Sequence, residues 1–395
     1  MLKSQYRLEE CTAIVVQETQ DEKRAREILQ RTTMRKGNGF ETGLLWRTDN
    51  LNFPDSLPMA RRRLKQLEHR LGKCPELYNK FRQEIELYQQ KGYAHLATPK
   101  ELAETDPRKR WYLPLNVILK AKKPGSIRLV WDAAATVNGV SLNSQLLKGP
   151  DMLTPLTSVI SLFRVAFGGD IREMYHQIKI RETDKQSQRF LHRKNLHDKE
   201  PSVYIMNVAT FGSTSSPCSA QYVKNLNASE FSAEYPEAAT AIINKHYVDD
   251  YFDSVDTIAE AVRRAKEVRF IHSKAGFEIR NWVSNSPEVL RSLEERNQVE
   301  AVHFNVDKTT DNERVLGIVW NPTYDTFSFA TDHRPQLRPY LDGTQRPTKR
   351  LVLSCVMGFF DPLGLLAPFT IHGKMLVQDL WRLWLGRRNR GRIFA

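Results

Sequence analysis

Three segments near the start of the chain repeat apolar residues at steps of three and four, the spacing of an amphipathic helix. They are DEKRAREILQRTT (21–33), SLPMARRRLKQLEHRLGK (56–73) and ELYNKFRQEIELYQQKG (76–92). Gly72 and Pro75 interrupt the pattern between the last two. Residues 1–105 are therefore predicted to form a helical lead-in segment with packed apolar faces and solvated basic faces.

The pattern changes to β-rich runs after residue 105. Runs over 111–119 and 127–131 flank Lys-Lys-Pro-Gly, a strong turn signal, and predict a hairpin. Cations surround this hairpin with almost no acid between them: Arg108, Lys109, Arg110, Lys120, Lys122, Lys123 and Arg128. The hairpin is either an ordinary solvated one or a positively charged binding surface.

Helical and strand-like segments alternate in the middle of the chain. Residues 154–167 and 172–178 are predicted as helices on either side of Gly168-Gly169-Asp170, and 314–330 as a hairpin that turns at Asn321-Pro322. The order strand–helix, strand–helix, hairpin–helix, strand predicts an α+β fold on a small antiparallel sheet. We expect three segments: a helical lead-in, a central α+β domain and a basic C-terminal part, with the boundaries 1–105, 106–332 and 333–395.

Composition narrows the class of partner. The 395 residues include 59 Lys plus Arg against 46 Asp plus Glu, a net charge of +13, which favours nucleic acid or an anionic membrane surface. The start of the chain is not a signal peptide, and Asp, Lys and Pro break the apolar stretch 355–377, so no membrane span is expected. The four cysteines lack zinc-like spacing and favour a reducing, intracellular location.

The stretch HYVDDYFDS (246–254) sets Asp249 beside Asp250 between strand-like residues. It predicts either a turn that uses aspartate or a metal site, because hard cations prefer oxygen ligands. Asp170 ends an apolar strand and could join the pair. Neighbours in a regular strand face opposite ways, which ranks Asp170 and Asp249 above Asp250 as ligands. Asp253 is expected to be a solvated strand residue.

These residues resemble the ordered motifs of a reverse transcriptase palm: Asp170 with Tyr175 five positions later, then FGSTSSP, then YVDD in a hairpin. The resemblance is closer still to the polymerase region of BEL/Pao long-terminal-repeat retrotransposons. It is carried by ETGLLWR, RLVWDA, SLN, YVDDYFDS, GFEIRNW and FDPLGLLAPFTI, over roughly residues 20–382. It implies a right-hand polymerase fold, with the fingers and an antiparallel-sheet palm together over 106–332 and a partial thumb or connection over 333–395.

The resemblance implies an RNA-directed DNA polymerase that extends a primer with deoxynucleotides on an RNA or DNA template. Two Mg²⁺ ions, or Mn²⁺, would be held by Asp170, Asp249 and Asp250, since two-metal phosphoryl transfer needs carboxylates from different elements. Two such charges at ~4 Å repel by roughly 4 kcal/mol at an effective dielectric of 20, which favours a cation site over a structural role. The expected partners are template–primer and deoxynucleoside triphosphates, in a cytoplasmic retroelement particle or the nucleus.

Nucleotide-binding roles follow from motif position. Arg128 matches the cation that contacts the triphosphate, with Lys120 beside it. Tyr175 matches the aromatic residue that blocks a ribose 2′-hydroxyl, with a core tyrosine as the alternative. Phe211 and Gly212 resemble the stretch beneath the incoming nucleotide, where glycine lets the backbone approach closely.

Contacts with the nucleic acid are implied for a second set of residues. Ser216 and Pro217 belong to the same stretch as the nucleotide residues, and Lys122 and Lys123 edge the basic hairpin. Trp320 lies in the hairpin that related enzymes place at the primer end, or it is a core residue.

Two departures from the family leave alternatives open. Polymerases often carry a proton-donating lysine where this chain has Arg280 and Asn281, and arginine is a poor donor. The tail WLGRRNRGRIFA is unlike the family's continuation and suggests a truncation or frameshift. The alternative function is an inactive retroelement remnant that only binds nucleic acid. A viral RNA-templated RNA polymerase is a third possibility, but its usual motif is Gly-Asp-Asp.

Overall fold

The computed structural model describes residues 17–119, 126–160, 164–194, 198–294, 313–315, 318–322, 324, 326–328, 338–358, 361 and 363–382. The chain forms two compact units, each made of separate stretches of sequence. The first unit takes its described residues from Met1–Met152, Glu173–Glu230 and His272–Phe277. The second unit takes its described residues from Leu153–Arg172, Phe231–Ile271 and Glu278–Ala395.

Helices and strands both contribute to the described part, so the α+β class is confirmed. The helices are α1 Gln20–Thr32, α2 Leu57–Gly72, α3 Pro75–Gln90, α4 Pro99–Glu104, α5 Leu142–Gln145, α6 Leu156–Ile160, α7 Glu182–Lys185, α8 Ser216–Glu230, α9 Pro236–Asn244, α10 Ile258–Ser273, α11 Pro287–Glu294, α12 Arg338–Leu341, α13 Lys349–Val356 and α14 Ala367–Arg382. Short 3₁₀ turns cover Pro107–Lys109, Met174–Gln177 and Gln186–Gln188.

The strands are short and mostly paired in antiparallel fashion. They are β1 Met34–Arg35, β2 Phe40–Thr42, β3 Ala94–Leu96, β4 Leu115–Leu119, β5 Ile127–Trp131, β6 Val165–Ile171, β7 Ile178–Ile180, β8 Arg189–His192, β9 Ser202–Met206, β10 His246–Tyr247, β11 Asp250–Val255, β12 Ile279–Ser284, β13 Glu313–Val315, β14 Ile318–Asn321 and β15 Thr326–Ser328.

The first unit contains the three predicted lead-in helices and three small sheets, ordered β1-β2-β7, β3-β9-β8 and β4-β5. Helix α1 begins at a capping box, in which Thr19 and Glu22 satisfy each other's backbone N–H groups. Helix α2 ends at Gly72 and α3 begins at Pro75, as the sequence predicted. The predicted hairpin is confirmed as β4 paired with β5, and its turn lies outside the described residues.

The second unit is built on a four-stranded antiparallel sheet in the order β10-β11-β6-β12, with a further sheet β13-β14-β15. The predicted helix over 154–167 is wrong in its second half, because α6 ends at Ile160 and β6 begins at Val165. Phe167 is fully buried within β6. Tertiary pairing in the sheet overrides the helical spacing of this short apolar run. The predicted helix over 172–178 is reduced to the turn Met174–Gln177.

Two glycines let the neighbouring strands β11 and β12 pack closely on the central strand β6. Gly168 lies opposite Phe252, and Gly169 lies opposite Tyr251. A Cβ atom on Gly168 would come within 2.5 Å of the Tyr251 carbonyl oxygen, and one on Gly169 within 2.8 Å of the Arg280 carbonyl oxygen. Any larger residue at either position would force the strands apart.

Across the described part of the chain, no helix combines the length and apolar character needed to cross a membrane.

Candidate active site

The YVDD segment forms the predicted hairpin, with a strained turn. Tyr247 pairs with Asp250, so Val248 and Asp249 are the two turn residues. Val248 has φ +58°, a left-handed conformation that a β-branched residue rarely adopts. Such a residue costs of order 1–3 kcal/mol and persists only where the surroundings enforce it. The Asp249 carbonyl accepts a hydrogen bond from the Ile171 N–H at 2.8 Å, which ties the turn to the end of β6.

The strand register places three charged residues in one row across the sheet. Asp250 of β11 lies opposite Asp170 of β6, which in turn lies opposite Arg280 of β12. Residues directly opposite in antiparallel strands share a face and have neighbouring Cβ atoms. The structure therefore brings two carboxylates from distant motifs and one guanidinium together; we call this set the acid row.

Burial and neighbouring negative charge perturb the carboxyl group of Asp250. Burial, and then the nearby charges of Asp249 and Asp170, raise the pKa of Asp250 to about 7. Asp249 and Asp250 are not neighbours in one regular strand, so the ranking of Asp249 above Asp250 rested on a wrong premise: β11 begins at Asp250 and Asp249 lies in the turn. The register gives Asp250 a direct place opposite Asp170, so it no longer ranks below Asp249 on geometric grounds.

A β-bulge in β12 directs a second side chain onto Asp170. The register shifts between Arg280 and Val283, and Asn281 within the bulge has φ +51°. A regular strand would turn Asn281 to the face opposite Arg280, but a bulge re-aims side chains. The Asn281 amide donates to Asp170 Oδ1 at 2.5 Å, and Arg280 Nε donates to Oδ2 at 3.4 Å. Arg280 and Asn281, the two positions at which the resemblance breaks down, thus both donate to Asp170.

The acid row has the ligand chemistry of a divalent-cation site, but its side chains are not arranged around a metal position. Carboxylate oxygens are the preferred ligands of Mg²⁺ and Mn²⁺, and the pKa of Asp250 is raised by burial and then by nearby negative charge, which a cation would relieve. Among the described residues, however, no three His, Cys, Asp or Glu side chains are already arranged to hold a metal ion. The oxygens of Asp170 instead accept from Arg280 and Asn281.

Asp253 is buried, which corrects the expectation of a solvated residue. Its side chain is on the opposite face of β11 from Asp250 and only 3% of the residue is exposed. Tyr251 Oη donates to it at 3.1 Å, the Ser254 N–H donates at 2.8 Å, and Arg264 lies 3.5 Å away. Burial raises the pKa of Asp253. This residue is a structural link between β11 and α10.

In the first unit, a cation and two aromatic rings form a cluster of their own. The Arg128 guanidinium lies 5.6 Å from the Phe211 ring centroid, and the centroids of the Tyr175 and Phe211 rings are 4.9 Å apart. Arg128 is exposed, while Tyr175 and Phe211 are partly buried. Three predicted nucleotide-binding residues are therefore brought together, and we call them the aromatic–cation cluster.

Gly212 is held by a residue that the sequence reasoning did not single out. Its φ is +111°, and a Cβ atom there would collide with the Trp131 carbonyl oxygen. The Asn143 amide donates to the Gly212 carbonyl at 2.9 Å and accepts from the Thr214 N–H at 2.9 Å. Asn143 is the last residue of the SLN motif, which was the signal available in the sequence.

The remaining predicted residues have different outcomes. Pro217 is exposed, but Ser216 is buried and its hydroxyl donates to the Thr210 carbonyl at 2.8 Å. Trp320 is 1% exposed, and its ring centroid lies 5.3 Å from that of Phe252. Of the two alternatives for Trp320, a primer contact or a core residue, the structure shows a core residue. Three lysines lie outside the described residues: Lys120, Lys122 and Lys123.

The fold and the site define an α+β protein with an acid row at the end of an antiparallel sheet. Residues 348–389 match the family described as "Pao retrotransposon-like RNaseH-like domain". This match supports a retroelement pol protein, and it describes part of the segment 333–395 differently from the predicted partial thumb. The division of the chain at 105 and 332 stays a prediction.

Comparison with curated proteins finds no match. Among solved structures, the chain is similar to one described as "Structure of the foamy viral protease-reverse transcriptase dRH in complex with ds DNA". The TM-score is 0.46 and the sequence identity is 14%. The similarity covers 77% of this chain and 43% of the foamy viral chain, so this chain spans less than half of that one.

Proposed function

We propose that the chain is the RNA-directed DNA polymerase part of a BEL/Pao-like retrotransposon, extending a primer with deoxynucleotides on an RNA or DNA template. The observation that carries the proposal is the register pair Asp250–Asp170, with Asp249 in the adjoining turn. Carboxylates from two separate motifs meet there at one end of one sheet. The family match over 348–389 supports a Pao retrotransposon source.

In this proposal the sheet β10-β11-β6-β12 is the palm, and Asp170, Asp249 and Asp250 hold the divalent ions. When bound, two Mg²⁺ or Mn²⁺ ions supply charge stabilisation to the attacking and leaving oxygens of phosphoryl transfer. The chain's own part is to keep these carboxylates together despite their repulsion. The hairpin β4–β5 belongs to the fingers, and 333–395 to a partial thumb or connection.

Nucleotide recognition is proposed for the aromatic–cation cluster of the first unit. Arg128 supplies a permanent positive charge and a planar fork of donors that suits phosphate oxygens. Tyr175 supplies a ring that would exclude a ribose 2′-hydroxyl, the group that separates RNA precursors from DNA precursors. Template–primer binding draws on the net charge of +13.

Primer extension by the full chain, on RNA and DNA templates with Mg²⁺ or Mn²⁺, tests the proposal. Asp170→Asn and Asp249→Asn each remove a negative ligand with little change of shape. We expect each to lower incorporation by about 100-fold or more, the scale of losing one preorganised transition-state contact. The control is Asp256→Asn, which removes an exposed carboxylate of the same unit that pairs with Arg164 at 3.1 Å.

Two results would contradict the proposal in different ways. An Asp249→Asn variant that extends primers at the wild-type rate would remove the two-metal assignment. A wild-type chain that binds template–primer and never extends it would establish the alternative function, a retroelement remnant that only binds nucleic acid.

A further inference from the structure

The end of the acid row carries a cation where a metal site needs negative charge. Arg280 lies directly opposite Asp170 in the strand register, and its guanidinium is within 3.4 Å of Asp170 Oδ2. About half of the Arg280 side chain is exposed, so it can swing into solvent without breaking the sheet. A guanidinium in this place partly cancels the charge that attracts a divalent ion.

The bulge gives Asn281 a different relation to the same carboxylate. Its amide is a neutral donor to Oδ1, so it orients Asp170 without competing for its charge. The left-handed backbone at φ +51° is what lets this amide reach the face of the acid row. Asparagine is one of the few residues that adopt this conformation at modest cost.

We infer that Arg280 and Asn281 are a pair of positioning residues that tune cation binding at Asp170 in opposite directions. Arg280 holds the carboxylate while no metal is bound and must yield when a divalent ion arrives. Asn281 keeps the carboxylate in one orientation in both states. This inference rests on the proposed function only in so far as Asp170 is a ligand of a divalent ion; it does not require polymerase activity.

Direct binding of Mn²⁺ to the full chain tests the inference, with free Mn²⁺ followed by electron paramagnetic resonance. Arg280→Gln removes the competing cation and should tighten Mn²⁺ binding by about two- to fivefold, the scale of a partly exposed ion pair. Arg280→Lys keeps a cation and should stay near the wild-type dissociation constant.

The second variant is Asn281→Gly, because glycine adopts a positive φ without strain. It removes the amide and leaves the bulge backbone intact. Freeing the Asp170 rotamer should weaken Mn²⁺ binding by about two- to fivefold. The matched charge control is Arg172→Gln, which removes an exposed cation that pairs with Glu278 at 3.3 Å and should leave Mn²⁺ binding unchanged.

The opposite directions separate tuning from a merely structural role. A damaged bulge would shift both variants the same way, and that result, or two unchanged dissociation constants, would overturn the inference. Asp170→Asn defines the site: if Mn²⁺ binding is the same in that variant, no cation site exists at Asp170 and the proposed function falls with the inference. Mn²⁺ binding that follows the expected pattern in a chain without primer extension would leave the inference standing and refute only the polymerase.

Discussion

Replacing Asp250 with asparagine should stabilise the metal-free protein at alkaline pH and leave its stability nearly unchanged near pH 4. Burial and the charges of Asp249 and Asp170 raise the pKa of Asp250 to about 7 in the folded protein. In the unfolded chain the pKa is close to the ordinary value of about 3.9. The folded state therefore binds more protons than the unfolded state between about pH 4 and pH 7.

The sign of the effect follows from this difference. Below about pH 4 Asp250 is protonated in both states and costs nothing. Between about pH 4 and pH 7 the unfolded state ionises while the folded carboxyl keeps its proton, so the penalty for a buried, crowded charge grows over this range and is complete above about pH 8. At 1.36 kcal/mol per unit, the difference of about three units sets an upper bound of ~4 kcal/mol. We expect about 1–3 kcal/mol, because the asparagine amide must also find a partner.

Urea unfolding at several pH values in the presence of a chelator measures the effect, and hydrogen exchange at the amides of β6 and β11 reports the second unit specifically. The control is Asp256→Asn, whose carboxylate is 73% exposed and should give no comparable gain at high pH. Mg²⁺ should shrink the advantage of Asp250→Asn, because the bound cation relieves the same repulsion in the wild type. A difference between wild type and Asp250→Asn that is the same at pH 4 and pH 8.5 would refute the reasoning.

Two further predictions concern one residue in each unit, Gly168 in the second and Tyr175 in the first. Gly168→Ala should lower the free energy of unfolding by about 1–3 kcal/mol, because its Cβ atom would overlap the Tyr251 carbonyl oxygen. The control is Gly72→Ala, whose Cβ atom would have nothing within 4 Å and should cause no such loss. Urea unfolding of both variants measures the difference. Tyr175→Val should raise the use of ribonucleotides relative to deoxyribonucleotides, measured as the ratio of catalytic efficiencies. An unaltered ratio in a folded, active variant rules out the sugar gate, and loss of both activities together indicates a core tyrosine.

Local pattern was sufficient where local forces decide the structure. Helices α1, α2 and α3 were predicted because their apolar spacing persists over three or more turns and because Gly72 and Pro75 mark the break between α2 and α3. The hairpin β14–β15 was predicted from the Asn321-Pro322 turn signal between two β-rich runs. Neither prediction needed information from distant residues.

Pairing between distant strands could not be read in the same way. Residues 165–167 end a run, 154–167, whose apolar spacing is helical. They belong to a strand because β6 pairs with β11 on one side and β12 on the other. The bulge at Asn281 depends on register between strands far apart in the chain, so the contact with Asp170 left no local signal. Asp253 was expected to be solvated because it lies beyond the YVDD motif, and its contact with Arg264 of α10 depends on packing that the motif does not show.

Three unfavourable features of the second unit lie at the Asp170 end of β6. Val248 has a left-handed backbone, Asp250 carries a crowded charge, and Asn281 has a second left-handed conformation. A sheet selected for stability alone would have glycine in the turn and an uncharged residue opposite Asp170. Sequences that specify a fold break such local rules mainly at functional sites. A cation at the acid row would offset the electrostatic part of this cost. Metal binding and the pH dependence of stability in Asp250→Asn therefore both test whether negative charge at this end of β6 destabilises the metal-free protein.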